Sequence, residues 1–294
     1  MSRSDDNHRS PYPNCYLSPA HWYAFSLSIV AVVSSPPALG ACPIDWTPGR
    51  GFPGVQGTVY AMTNWDPDGP GPEPEVVIVG GEISVAGGAM TDMTAVWDGM
   101  KWRSFGEGWF GYTNRLKVCG NRLMAAGDFT DAEGGRHGFV EWSGTNWQPI
   151  GNALGYGMSV VEFEGRILAG GYAVTGDLTT PVAELVNGQW QPFGPPMAPN
   201  SYVIDFFIRG EELIIIGEFA AGSARNIARW SGSDWEPLSD FDGDPLGTYL
   251  CIAEFDGDLF CGGAFPPTGG NSSPGIVRWD GNLWHVMRVM VKFR

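Results

Sequence analysis

A pair of tryptophans flanking a glycine turn recurs along this chain, and the recurrence restricts the fold more than any other feature. It runs Trp97-Asp-Gly-Met-Lys-Trp102, Trp142-Ser-Gly-Thr-Asn-Trp147, Trp230-Ser-Gly-Ser-Asp-Trp235 and Trp279-Asp-Gly-Asn-Leu-Trp284, with a shortened copy at Val186-Asn-Gly-Gln-Trp190. The second tryptophans stand 45, 43, 45 and 49 residues apart. Such a period belongs to a propeller blade or a helical array. Hydrophobic run lengths decide between them. Around the fourth copy the runs are Val203–Ile208, Leu213–Phe219, Ile227–Trp230 and Trp235–Leu238. Each is strand length, and none has the ten or more residues at period 3.6 that a helix needs. Four strands per repeat predict an all-β propeller of about five four-stranded blades, beginning near Thr58, with an incomplete sixth and ring closure left open.

The tryptophans of a pair are expected to face each other across a hairpin, on one sheet face, where blades bury apolar area against one another. In the shortened copy the expected partners are Val186 and Trp190, across a three-residue turn. This structural role is preferred to one in stacking sugars. A second periodic element ends the second strand of each repeat, with central glycines at Gly80, Gly127, Gly170, Gly217 and Gly262. Glycine in a β-branched strand predicts a bulge or the close approach of another backbone.

The segments Arg166-Ile-Leu-Ala-Gly-Gly171 and Asn226-Ile-Ala-Arg-Trp-Ser-Gly-Ser-Asp-Trp-Glu-Pro-Leu238 resemble the repeats of secreted bacterial β-propeller proteins. They are similar in pattern to repeats of the fungal cortical marker of cell polarity, and more distantly to Kelch. The resemblance covers about residues 42–284. It implies a propeller and no particular activity.

The ends depart from the repeat. Asp45-Trp-Thr-Pro-Gly49 resembles the fourth strand of a repeat lacking its first three. Trp284 leads into a basic, Met-containing tail that looks like a truncation or an altered reading frame. The apolar run at 24–33, about ten residues long, suits the core of a signal peptide and is too short to span a bilayer. Residues 1–41 are therefore expected to be a signal peptide, 42–57 an entry segment with a closing strand, and 58–294 the propeller. Leu39-Gly-Ala-Cys42 also matches a loose lipobox, which would anchor Cys42 through lipid, although simple cleavage ahead of Cys42 is preferred. Export follows, with a secreted, periplasmic or cell-surface destination. Cys251 and Cys261 bracket the turn at Asp256-Gly257. Two readings stand for them, a cross-strand disulfide and buried free thiols.

A formal charge of −15 opposes binding to nucleic acid or anionic lipid. No HExxH, GxSxG or GxxxxGK[ST] string occurs, and mature histidines are limited to His137 and His285. No catalytic or organic-cofactor residues are expected. Asp240, Asp242 and Asp244 alternate in a glycine-containing loop at a spacing that suits Ca²⁺, a hard ion wanting several oxygens. Asp66-Pro-Asp-Gly69 is a poorer version. The competing and preferred account is that Asp and Gly build turns here. Two function classes remain. One is a monomeric, non-catalytic exported module that binds protein or glycan through loops at one end of its axis. The other is a propeller hydrolase or lyase with a carboxylate-lined axial pocket. Several carboxylates converging with an arginine at the axis would favour the enzyme.

Overall fold

The computed structural model describes residues 54–152, 156–172, 174–175, 180–238, 247–265 and 275–287. The chain divides into Met1–Trp46 and Thr47–Arg294, and every described residue lies in the second unit. The expected leader and the lipobox at Cys42 fall outside the described residues. No helix among the described residues is long and apolar enough to cross a membrane.

The protein is a β-propeller of five antiparallel blades, each a meander running from the axis outward. Blade one contains β1 (Val55–Trp65), β2 (Val76–Ala86), the short β3 (Ala89–Met90), β4 (Thr94–Trp97) and β5 (Trp102–Ser104). Blade two is β6 (Phe110–Cys119), β7 (Arg122–Thr130), β8 (Arg136–Trp142) and β9 (Trp147–Pro149). Blade three is β10 (Tyr156–Phe163), β11 (Arg166–Tyr172), β12 (Val182–Val186) and β13 (Gln189–Pro192). Blade four is β14 (Tyr202–Arg209), β15 (Glu212–Ala221), β16 (Ala224–Trp230) and β17 (Trp235–Pro237). Blade five is β18 (Thr248–Phe255), β19 (Asp258–Ala264), β20 (Ile276–Trp279) and β21 (Trp284–Val286).

Apolar cores separate successive blades. Leu123, Val140 and Trp147 of blade two pack on Ile78 and Val96 of blade one. Val160 and Trp190 of blade three pack on Met124 and Phe139 of blade two. Phe206 and Trp235 of blade four pack on Leu168 and Phe193 of blade three, and Tyr249 and Trp279 of blade five on Ile214 and Ile227 of blade four. Each tryptophan pair thus lies on the leading face of its blade, against the blade before. Trp97 and Trp102 of blade one are the exception, and Trp102 packs on its own blade's Val79, Ile83 and Ala95.

The four full pairs are direct cross-strand partners, with ring centroids 4.9–5.6 Å apart. Those of blades two and four clasp the end of the preceding blade: Phe105 stacks on Trp142 at 4.0 Å, and Phe193 lies 4.6 Å from Trp230. Trp147 Nε1 donates to Thr94 Oγ1 at 3.2 Å and Trp190 Nε1 to the Ile150 carbonyl at 2.9 Å. The shortened copy differs from expectation. Trp190 pairs with Leu185, and Val186 with Gln189. The turn keeps only Asn187 and Gly188, both at positive φ (51° and 77°). Positive φ at both central residues is the two-residue hairpin geometry that matches strand twist, so the deletion selects a tighter turn and moves the pairing by one residue.

The glycine element is also corrected. Every innermost strand carries a bulge, at Tyr60, Asn114, Met158, Ile204 and Leu250. The residues opposite the step before each bulge are Gly81, Gly127, Gly171, Gly217 and Gly263. The true repeat therefore runs one residue later in blades one, three and five. A Cβ at any of these glycines would run into the carbonyl oxygen of Thr58, Tyr112, Tyr156, Tyr202 or Thr248 respectively. The close backbone belongs to the same blade's innermost strand and not to a neighbouring blade.

Candidate functional site

Aligning the blades on their bulges brings out the axis. The residue immediately after each bulge is Ala61, Arg115, Ser159, Asp205 or Cys251. A bulge bends its strand and re-aims the side chain beside it, and three of these five meet. Arg115 Nε lies 3.1 Å from Asp205 Oδ2, and Arg115 Nη2 donates to the Leu250 carbonyl at 2.9 Å. Lys117 Nζ lies 3.1 Å from Asp205 Oδ1 and donates to the Phe206 carbonyl. Ser159 Oγ donates to Asp205 Oδ1 at 2.7 Å, and the Phe206 amide donates to the same oxygen at 2.9 Å. One arginine thus ties blade two to blades four and five across the axis.

Asp205 is buried. Burial is the strongest single influence on its carboxyl and alone would raise its pKa. The charges of Lys117 and Arg115 and the bonds from Ser159 and Lys117 outweigh it, and the pKa is lowered. A carboxylate held charged between two cations organises its surroundings. It lacks the raised pKa that a general acid needs. The axial cluster contains one carboxylate, where a glycosidase of the usual kind places two across the scissile bond.

One end of the axis carries tyrosines. Three residues before Arg115, Ser159 and Asp205 stand Tyr112, Tyr156 and Tyr202, while Thr58 and Thr248 hold the same step in blades one and five. The Tyr112 and Tyr156 hydroxyls are 2.5 Å apart. Burial, then that bond, raises the Tyr112 pKa. Tyr202 Oη donates to Glu218 Oε2 at 2.6 Å, and burial followed by this bond pushes its pKa up to about 12. Tyr60 at the first bulge is exposed, and so is Tyr172, whose hydroxyl donates to Asn200. Arg136 is paired to Asp128, the cross-strand partner of Tyr112, at 2.7 Å. Neutral phenols offer an apolar ring face together with a donor and acceptor tip.

A concavity of about 620 Å³ opens between blades one and two. Trp65, Phe105 and Trp142 line it together with Glu73, Asp98 and Arg103. Its aromatic wall is the clasp of Phe105 by Trp142, so those rings already serve the blade interface.

Asp240, Asp242 and Asp244 lie outside the described residues. Among the described residues no group of three or more His, Cys, Asp or Glu side chains could hold a metal ion. In the weaker Asp66–Gly69 motif both carboxylates build the loop: Asp66 accepts from the Asp68 amide and Asp68 from the Glu73 amide. His137 and His285 pair locally, with Asp131 and Asp280. Cys251 and Cys261 are free thiols, Cys261 buried in the core between blades four and five and Cys251 exposed after its bulge. Burial, then the nearby Cys251, pushes the Cys261 thiol up to about 12, so it stays protonated.

Sequence reasoning missed Arg115, Lys117, Ser159, Asp205 and the three tyrosines. Their signal was present: measured from the glycine opposite each bulge, the tyrosines fall on one step of the repeat, Arg115, Ser159 and Asp205 on a second, and Lys117 two residues beyond it. No protein-family model matches the chain and no curated protein matches it.

Proposed function

We propose that this protein is an exported, non-catalytic binding module, related to the secreted bacterial propeller repeats, that takes protein or glycan at the tyrosine end of its axis. The observation that carries this reading is the alignment of Tyr112, Tyr156 and Tyr202 on three successive innermost strands. Rigid aromatic groups with polar tips lose little conformational entropy on binding and suit both ligand classes. Beneath them the Arg115–Asp205–Lys117 cluster closes the axis with charges already satisfied, which weighs against the hydrolase or lyase alternative.

The test is a glycan and polysaccharide array probed with the exported protein and with a Tyr112→Ala/Tyr156→Ala variant, reducing-sugar release being assayed in parallel. Binding by the wild type, lost in the variant while the melting temperature holds within a few degrees, supports the module. Sugar release that disappears in Asp205→Asn would establish the enzyme instead.

A further inference from the structure

Among the described residues, two faces of the propeller lack the neighbour that the repeat provides everywhere else. On the leading side of blade one, Met62 occupies the step held by Leu116, Val160 and Phe206 in blades two to four. Those three are at most 5% exposed, each in the core against the blade before, whereas Met62 is 70% exposed. Val59, two steps nearer the bulge glycine, is 45% exposed, while its counterpart Val203 is wholly buried. On the trailing side of blade five, Phe255 holds the step of Trp65 and Phe163, and Ile276 that of Phe139, Val182 and Ile227. These apolar counterparts are at most 7% exposed, with Cys119 and Arg209 half-buried at the Phe255 step in blades two and four, whereas Phe255 is 70% and Ile276 43% exposed.

These are the two halves of one interface. In blades one to four the trailing positions receive the leading positions of the next blade, four times over. The first and fifth blades share no apolar core among the described residues. We propose that the blade-five face of one copy of this chain docks on the blade-one face of a second copy, continuing the blade-on-blade packing between molecules. The interface is heterologous, joining different surfaces of the two copies, so it permits chains of more than two. Both faces expose large apolar side chains, a feature of interaction sites. The formal charge of −15 opposes the contact, so added salt strengthens it by screening.

Sedimentation velocity on the exported protein, across concentration and at low and high salt, provides the test. Expected are dimers and longer species that grow with concentration and with salt. A single monomeric boundary throughout overturns the proposal. Two variants, both altered at exposed positions and each confirmed folded by near-ultraviolet circular dichroism, make the test directional. Phe255→Lys/Ile276→Lys removes the blade-five face, and Val59→Lys/Met62→Lys removes the blade-one face. Each alone should be monomeric, and a one-to-one mixture should form a dimer through the intact faces that remain. Association of either variant alone, or a mixture that stays monomeric, refutes head-to-tail docking.

Discussion

Blade four and blade one are built from the same unit but are stabilised differently. Blade four has neighbours on both sides: Phe206 and Trp235 lie in the core against blade three, and Ile214 and Ile227 in the core against blade five. Blade one keeps the same tryptophan hairpin, with the pair 5.4 Å apart, yet among the described residues its Trp102 packs on its own blade. The hairpin geometry is therefore intrinsic to the repeat, whereas burial of the pair depends on the preceding blade. A single blade cannot bury its hydrophobic faces, so stability resides in the interfaces.

The sharpest way to break the comparison is to remove the second tryptophan in each place. Trp235→Ala empties a site in the core between blades three and four and should cost about 3–5 kcal/mol, the range for a buried aromatic. That is a large part of a domain's roughly 5–15 kcal/mol, so the yield of folded protein should fall. Trp102→Ala, at a half-buried site, should cost about half as much. Denaturant melts of the two variants check the ratio. A Trp235→Ala variant that melts like wild type but loses ligand would turn the rings into a recognition surface.

Next comes the bulge glycine. A Cβ at Gly217 would strike the Tyr202 carbonyl, and one at Gly81 would strike the Thr58 carbonyl. Both clashes lie within one blade, so Gly217→Ala and Gly81→Ala should be destabilising by similar amounts, about 1–3 kcal/mol as for other overpacked sites. Equal costs in the two blades would separate what a blade does alone from what its neighbour supplies.

The axial cluster binds blades two, three, four and five together and leaves blade one out. Asp205→Asn leaves Arg115 and Lys117 without their counter-charge. Both are about a quarter exposed, so water relieves part of the imbalance and the expected loss is about 2 kcal/mol, below the range for a fully buried pair. The pH dependence follows from the lowered pKa. An unfolded Asp titrates near ~3.9, and the folded Asp205 titrates below its ordinary value. The paired carboxylate therefore stabilises the fold at every pH above the unfolded value. That contribution is lost as pH falls through the folded one. The gap between wild type and Asp205→Asn should be constant from pH 5 to 7 and close in stronger acid.

The blade count, the four segments of each repeat and the facing tryptophans were legible in the sequence because each is a local pattern that turn chemistry and alternation dictate. The shortened hairpin was misread because four loop residues can lose one by moving a strand partner, and only the φ angles of Asn187 and Gly188 show which. The glycine register was misread because blades one, three and five carry two adjacent glycines, and composition cannot tell which one faces the crossing carbonyl. The axial residues escaped because they differ from blade to blade. Arg115, Ser159 and Asp205 share a step and no chemistry, so repetition hides them until the bulges are aligned. The apolar character of Met62 and Phe255 was visible from the start, but their exposure is a property of where the blades stop having neighbours.

The smallest expected effect is the one that decides whether the bare faces matter. Phe206→Ala and Met62→Ala alter the same step of the repeat. The first should cost about 3–5 kcal/mol, since it opens a cavity in a closed core. The second, at an exposed site, should stay within about 0.5 kcal/mol in dilute solution, where mass action disfavours self-association. At high concentration Met62→Ala should separate from wild type, because self-association adds to apparent stability by mass action. The melting temperature of wild type should then rise with concentration while that of Met62→Ala rises less. Calorimetric scans over a hundredfold range of concentration read both. Melting temperatures flat with concentration in both proteins would mean that the blade-one face stays bare in solution. A substantial loss for Met62→Ala in dilute solution would mean that another part of the same chain covers it.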